Sequence, residues 1–176
     1  MGALVQGQAA VAAQLESDQQ QFLTFVLGGE MFAIGILNIK EIIEYGQLTS
    51  VPMMPGFIRG VINLRGSVVP VVDLSARFGR RPSEITRRTC IVIIETESEG
   101  ERQDIGVVVD SVSEVLEIPA SEIEPPPAFG AKVRPDFISG MGKVNGKFII
   151  LLNVDKVVSV EELAALSTLS SGETVG

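Results

Sequence analysis

The chain has 176 residues, 45% of them hydrophobic but only 5% aromatic and none Trp, so its core must come from Val, Ile and Leu, which favour strands. A net charge of −8 argues against a nucleic-acid-binding surface, because nothing of that sign releases phosphate counterions. Zero histidines exclude Ser-His-Asp and Cys-His catalysis, histidine phosphotransfer on this chain and histidine-ligated zinc.

Residues 1–19, rich in Ala and Gln, read as a flexible N-terminal tail. Residues 21–27 and 30–34 form a predicted hairpin turning at Gly28-Gly29. Ile36, Ile39 and Ile43 lie at helical spacing and predict a short helix over 36–45, and 48–51 a short strand. Residues 55–74 read as two strands around a tight turn at Arg65-Gly66, the second carrying the apolar run Val68, Val69, Val71 and Val72 suited to burial on both faces. Pro70 in that run points to an edge strand or a bulge. Residues 74–79 give one helical turn stopped by glycine.

Arg77, Arg80, Arg81, Arg87 and Arg88 then form the only basic cluster, read as a solvated connector with contact to an acidic partner as the alternative. Strands over 88–97 and 103–109 flank an acidic turn, and 112–118 reads as strand or helix. The single cysteine, Cys90, sits in an apolar run as a small buried hydrophobe. It excludes an internal disulfide and suggests a reducing compartment. After a proline loop come strands over 137–144 and 147–152. Ser159 with Glu162 makes a capping box for a C-terminal helix to about Leu169, and 170–176 is a second flexible tail. No apolar run approaches the roughly 18 residues needed to span a bilayer. The N-terminus lacks the order of a secretory signal, so a soluble cytoplasmic protein without membrane insertion is expected.

The chain repeats itself. Residues 55–74 align without a gap on 135–154, so that Pro55, Phe57, Ile58, Gly60 and Gly66 meet Pro135, Phe137, Ile138, Gly140 and Gly146. Upstream, 32–44 align on 105–117 at an offset of 73 rather than 80. The difference falls in the proline loop at 124–130, where an insertion is tolerated. The expected fold is all-β: two pseudo-repeats, about 21–79 and 88–157, each offering about five short strands. That number suits a small closed barrel, and two barrels would share an apolar interface.

No catalytic or metal site assembles. The glycines at 140, 142 and 146 miss the spacing of dinucleotide and phosphate loops and lie in a hairpin. The acidic turn after Glu95 has Gly106 where a calcium loop needs its twelfth-position carboxylate. Asp73 and Asp110 follow strands, which suggests capping or turn duty rather than acid–base work. Neither an enzyme nor a bound cofactor or metal is expected.

If duplication explains the shared core, function belongs where the copies differ: Asn63-Leu64-Arg65 in the first, Lys143-Val144-Asn145 in the second. An Arg beside a turn, with Glu41 nearby, pairs or presents a fork of donors to a partner. The hairpin 22–34, the motif Ile39-Lys40-Glu41-Ile42, the block 57–74 with its Asn-Leu-Arg-Gly, and 106–112 resemble the CheW-like family of bacterial chemotaxis coupling proteins. The likeness runs from about Gln21 to Leu169, within a domain of 20–169.

It implies two SH3-like five-stranded barrels with short helices, and an adaptor that couples methyl-accepting chemoreceptors to the histidine kinase CheA. Carried over by position, the receptor-facing groove comprises Ile36, Glu41, Ile42, Asn63, Arg65 and Val68, with Ile36, Ile42 and Val68 as an apolar floor. Gly60 falls on or near the surface for the kinase regulatory domain. The family likeness also implies recruitment to membrane-associated arrays. A coupling protein of another pathway, twitching or gliding, is the nearest alternative. A nucleic-acid-binding barrel is a remote one, disfavoured by charge.

Overall fold

The computed structural model describes residues 19–158, apart from 47, 53, 55, 99 and 127–134. Among the described residues eleven strands fall in two sheets: β1 (Gln19–Leu27), β2 (Glu30–Gly35), β3 (Ile39–Glu44), β4 (Ile58–Leu64), β5 (Ser67–Asp73), β6 (Cys90–Ser98), β7 (Glu101–Val109), β8 (Ser111–Pro119), β9 (Ile123–Glu124), β10 (Ile138–Val144) and β11 (Lys147–Leu152). Single helical turns α1 (Leu74–Arg77) and α2 (Val154–Val157) follow β5 and β11. The C-terminal helix expected after Ser159 and both tails lie outside the described residues.

One sheet runs β3-β6-β7-β5-β4 and closes on itself, because Thr49, just past β3, bridges Val61 of the opposite edge. The other runs β8-β1-β2-β11-β10-β9, and its two edge strands are consecutive in the chain, β9 following β8 after a short 3-10 turn. Closure satisfies backbone groups that an open edge would leave unpaired.

These barrels are not the two sequential halves. The β1–β2 hairpin, first in the chain, completes the barrel of β8–β11, while β6–β7 completes the barrel of β3–β5. The parallel pairs make the exchange explicit: Val71 lies beside Gly106 and, 80 and 73 residues away, Leu151 lies beside Ala33. The expectation of one self-contained barrel per half is corrected accordingly, with the fold class unchanged. A chain cut between Arg81 and Arg88 should therefore give two pieces that are each largely unfolded by circular dichroism and that fold when mixed. Independent folding of either piece would contradict the exchange.

Three clusters explain why the strands read as unbroken apolar runs. Val69, Val71, Ile91, Ile93 and Val108 fill the first barrel, and Phe22, Ala33, Ile118, Ile149 and Leu151 fill the second. The largest cluster lies between them, joining Phe25, Phe32, Val72, Val92, Ile105, Val107, Phe137 and Leu152. Strand β7 thus buries both faces, Val108 inward and Val107 and Val109 toward the partner barrel. Phe25, Phe32, Phe78 and Phe137 form a row with centroids 5.8–6.2 Å apart, the first two pairs stacked and the last tilted. Arg77 lies over Phe57 and Phe137, at 5.0 and 4.7 Å from the ring centroids.

Residues 36–45 are not a helix. A 3-10 turn at Ile36–Asn38 leads into β3, whose residues alternate half-buried and exposed. Ile39 and Ile43 are four apart, a spacing that shares a face in a strand as well as in a helix, and β-branching decides for the strand. Residues 112–118, aligned with this segment, lie within β8. Pro70 is not on an edge strand, since β5 pairs with both β4 and β7. Pairing with β7 begins only at Val71, so no ladder bond to that neighbour is asked of Pro70.

Candidate functional site

The β4–β5 turn puts Arg65 at φ +51° and Gly66 at +88°, and the Gly66 amide donates to Asn63 Oδ1 at 3.0 Å. The aligned turn in the second copy has Asn145 at the same φ of +51°. Asn is at home in the left-handed region, whereas a long side chain there costs about 1–2 kcal/mol. The first copy therefore holds an arginine where the backbone would prefer the other copy's residue. Its Nη2 donates to Glu41 Oε2 at 2.8 Å, joining the hairpin tip to β3. The arginine side chain is 80% exposed and the glutamate 26%, so the pair is open to a partner while Glu41 is held in place.

Of the other expected residues, Asn63 and Val68 are direct cross-strand partners at the base of the tip, both exposed. Ile42 is exposed too, but it follows Glu41 in a strand and faces the opposite side, sharing a face with Val92. Ile36 is half-buried in the 3-10 turn. Ile42, Asn63 and Val68 thus lie on the outer face of their sheet, since their strand neighbours Ile43, Ile62 and Val69 pack into the barrel, and the Glu41–Arg65 pair joins the tip to β3. Gly60 is buried at a bulge under Thr49 and presents no surface of its own.

Sequence reasoning missed Leu37, among the described residues the most exposed large hydrophobic at 97%. Its signal was an apolar side chain off the helical face that Ile36, Ile39 and Ile43 would share. It missed Val115 and Phe148 as well, which align with Ile42 and Val68 and are likewise exposed. Exposed apolar pairs therefore belong to both copies, and the Glu41–Arg65 ion pair sets the first apart.

Beside this site Lys40 lies between Asp104, at 3.1 Å, and Glu95, at 3.5 Å. The hydrogen bond to Asp104, then its charge, hold the ammonium above its ordinary pKa. It stays charged through the neutral range as a fixed part of the outer face. Burial, then the Glu44 carboxylate, push the Cys90 thiol up, away from the thiolate that reactive chemistry needs. Asp110 accepts from the Gly28 amide at 2.8 Å, and Asp73 caps α1 through Ala76, so both serve the backbone. Among the described residues no helix is long and apolar enough to cross a membrane, and no three metal-binding side chains gather.

The model of the CheW-like domain matches residues 21–162. Chemotaxis protein CheW of Klebsiella aerogenes is 36% identical over 88% of this chain and 91% of its own. Chemotaxis protein CheW of Rhizobium meliloti is 32% identical over 88% and 97%. The crystal structure of the scaffolding protein TtCheW from Thermoanaerobacter tengcongensis superposes with a TM-score of 0.71 at 33% identity, over 79% of this chain and 87% of that one.

Proposed function

We infer the function from one premise: the chain belongs to the CheW-like domain family, and it is a coupling adaptor of chemotaxis. Service in twitching or gliding is not favoured over this reading. The proposed role is non-catalytic: the chain joins the cytoplasmic tip of methyl-accepting chemoreceptors to the regulatory domain of CheA, and is recruited to membrane-associated arrays through them. The receptor tip docks at the β4–β5 turn, with Arg65 and Glu41 orienting it and Val68 supplying apolar contact. Ile42, on the same outer face as Val68, and Ile36, just before β3, join the apolar contact. The kinase domain docks on the barrel surface near Gly60.

The observation that carries this is the arginine kept in a left-handed turn and paired at 2.8 Å to Glu41 while remaining 80% exposed. An exposed ion pair contributes only about 0–1 kcal/mol to folding, so stability is a poor reason to keep it there. Arg65→Ala should leave the thermal melt near that of the wild type. It should weaken binding of receptor-tip fragments by about 1–3 kcal/mol, roughly 5- to 150-fold, as loss of an anchoring arginine does. Binding to the isolated CheA regulatory domain should not change. Equal receptor affinity in the variant would remove the site assignment.

A further inference from the structure

We propose that the loop between the two copies, residues 81–88, is a docking surface for a short acidic polypeptide segment. Two of the clustered arginines are occupied elsewhere: Arg77 Nε donates to the Val157 carbonyl, and Arg80 lies over Phe32 and within 3.5 Å of Glu30. The other three point outward. Arg81, Arg87 and Arg88 are exposed, and among the described residues no carboxylate pairs with their guanidinium groups. With Glu84 as the only acid among them, the loop carries a net +2 in a chain of −8.

A solvated linker needs no fixed shape, yet this one is tied down at both ends. Ser83 is buried and donates to Asp73 twice, from its amide at 2.9 Å and its hydroxyl at 3.0 Å, while its carbonyl accepts from Arg59. Farther along, the Thr86 amide donates to Thr89 Oγ1 at 2.8 Å, and that hydroxyl, on a buried residue, donates to the Glu84 carbonyl at 3.3 Å. Thr86 Oγ1 in turn accepts from the Arg88 amide at 3.1 Å. Arg81 also lines, with Glu84 and Thr86, an open cleft of about 410 Å³. The three guanidinium groups are thus presented from an ordered backbone, which lowers the entropy lost on binding. Ile85 stands 47% exposed between them, an apolar contact flanked by cations.

That combination selects the partner's chemistry. Guanidinium forks suit carboxylates, and an exposed isoleucine suits an apolar side chain set among acids. A long polyanion or an anionic membrane would meet the acidic remainder of the molecule beyond the loop, whereas a short segment would not.

The test uses the full chain and a labelled glutamate-rich peptide with one central leucine, followed by fluorescence anisotropy. Saturable binding that weakens with added salt is expected. The variant R81Q/R87Q/R88Q should bind at least ~10-fold more weakly, three exposed charge pairs being removed. Ile85→Ser should show a smaller loss. Arg102→Gln, an exposed arginine paired with Glu95 elsewhere, should bind as the wild type does. Because all these side chains are exposed, unchanged melts are expected throughout. Absence of saturable binding, equal affinity in the triple variant, or an equal loss in Arg102→Gln overturns the proposal. So does preference for phosphatidylglycerol vesicles or a single-stranded oligonucleotide that the peptide fails to displace.

Discussion

Asp73→Ala is expected to destabilise the protein by about 3–5 kcal/mol, the usual loss when one partner of a buried ion pair is removed. Asp73 is fully buried at the end of β5 and both its oxygens are engaged. Oδ2 accepts from Arg59 Nε at 2.9 Å and from the Ser83 amide at 2.9 Å. Oδ1 accepts from the Ser83 hydroxyl at 3.0 Å and the Ala76 amide at 3.3 Å. Alanine strands a guanidinium that is 26% exposed, an interior amide and the first turn of α1 together.

The second copy supplies the control. Asn153 occupies the aligned position and caps α2 through Lys156, so Asn153→Ala removes a cap worth about 1 kcal/mol. Urea unfolding of the two variants measures the difference, read as a shift of midpoint at constant slope. Equal losses would mean that the Arg59 and Ser83 contacts add nothing to capping. Against a typical total of about 5–15 kcal/mol, the Asp73 variant should be close to failing at physiological temperature. Because Asp73 fixes the connector through Ser83, its loss should also loosen the loop that carries Arg81, Arg87 and Arg88.

Much of this was legible because duplication wrote the same instructions twice. Gly28-Gly29, at φ +57° and +83°, turns its hairpin where two consecutive glycines said it would. The alignment of 55–74 on 135–154 reappears in space as matching bulges, at Ile58/Gly60 and at Ile138/Gly140. Matching 2.7 Å hydrogen bonds appear as well, from Asp73 to Phe57 and from Asn153 to Phe137. The Arg65–Glu41 pair followed from asking where the copies disagree.

What stayed hidden depends on long-range choice rather than local pattern. Both copies carry the same hairpin, so its pairing within its own half or across to the other satisfies the same alternation and the same turns. Only the two linker lengths and the interface between barrels distinguish them. Strand β3 stayed hidden for a related reason, because Ile39 and Ile43 share a face in a strand and in a helix. Once 36–45 is read as a helix, adjacent Glu41 and Ile42 sit near one edge, whereas a strand sends them to opposite faces.

Gly60→Ala is the second large effect, about 2–4 kcal/mol, because strain and overpacking act at one position. Gly60 sits at φ +151° on the β4 bulge, and a Cβ there would stand 2.5 Å from the Thr49 carbonyl oxygen and 3.3 Å from Leu48 Cβ. Thr49 cannot simply step aside. Its amide and carbonyl exchange two 2.9 Å hydrogen bonds with Val61, the link that closes the barrel between β3 and β4.

Gly140 makes the comparison sharp. Its added Cβ would meet the Ile123 side chain at 2.7 Å and the Glu124 carbonyl at 3.1 Å, so the closest atom belongs to a side chain rather than to the backbone, and no positive φ adds strain. Gly140→Ala should cost less, nearer 1–3 kcal/mol. Hydrogen exchange locates the damage: the Thr49 and Val61 amides should lose protection in Gly60→Ala while those of the β6–β7 ladder keep theirs. The same variant bears on the proposed kinase surface. A buried glycine contributes no side chain to a partner, so weaker binding of the CheA regulatory domain should track the opening of this seam, and a variant that melts within about 0.5 kcal/mol of the wild type while losing the kinase would mean that Gly60 is read directly.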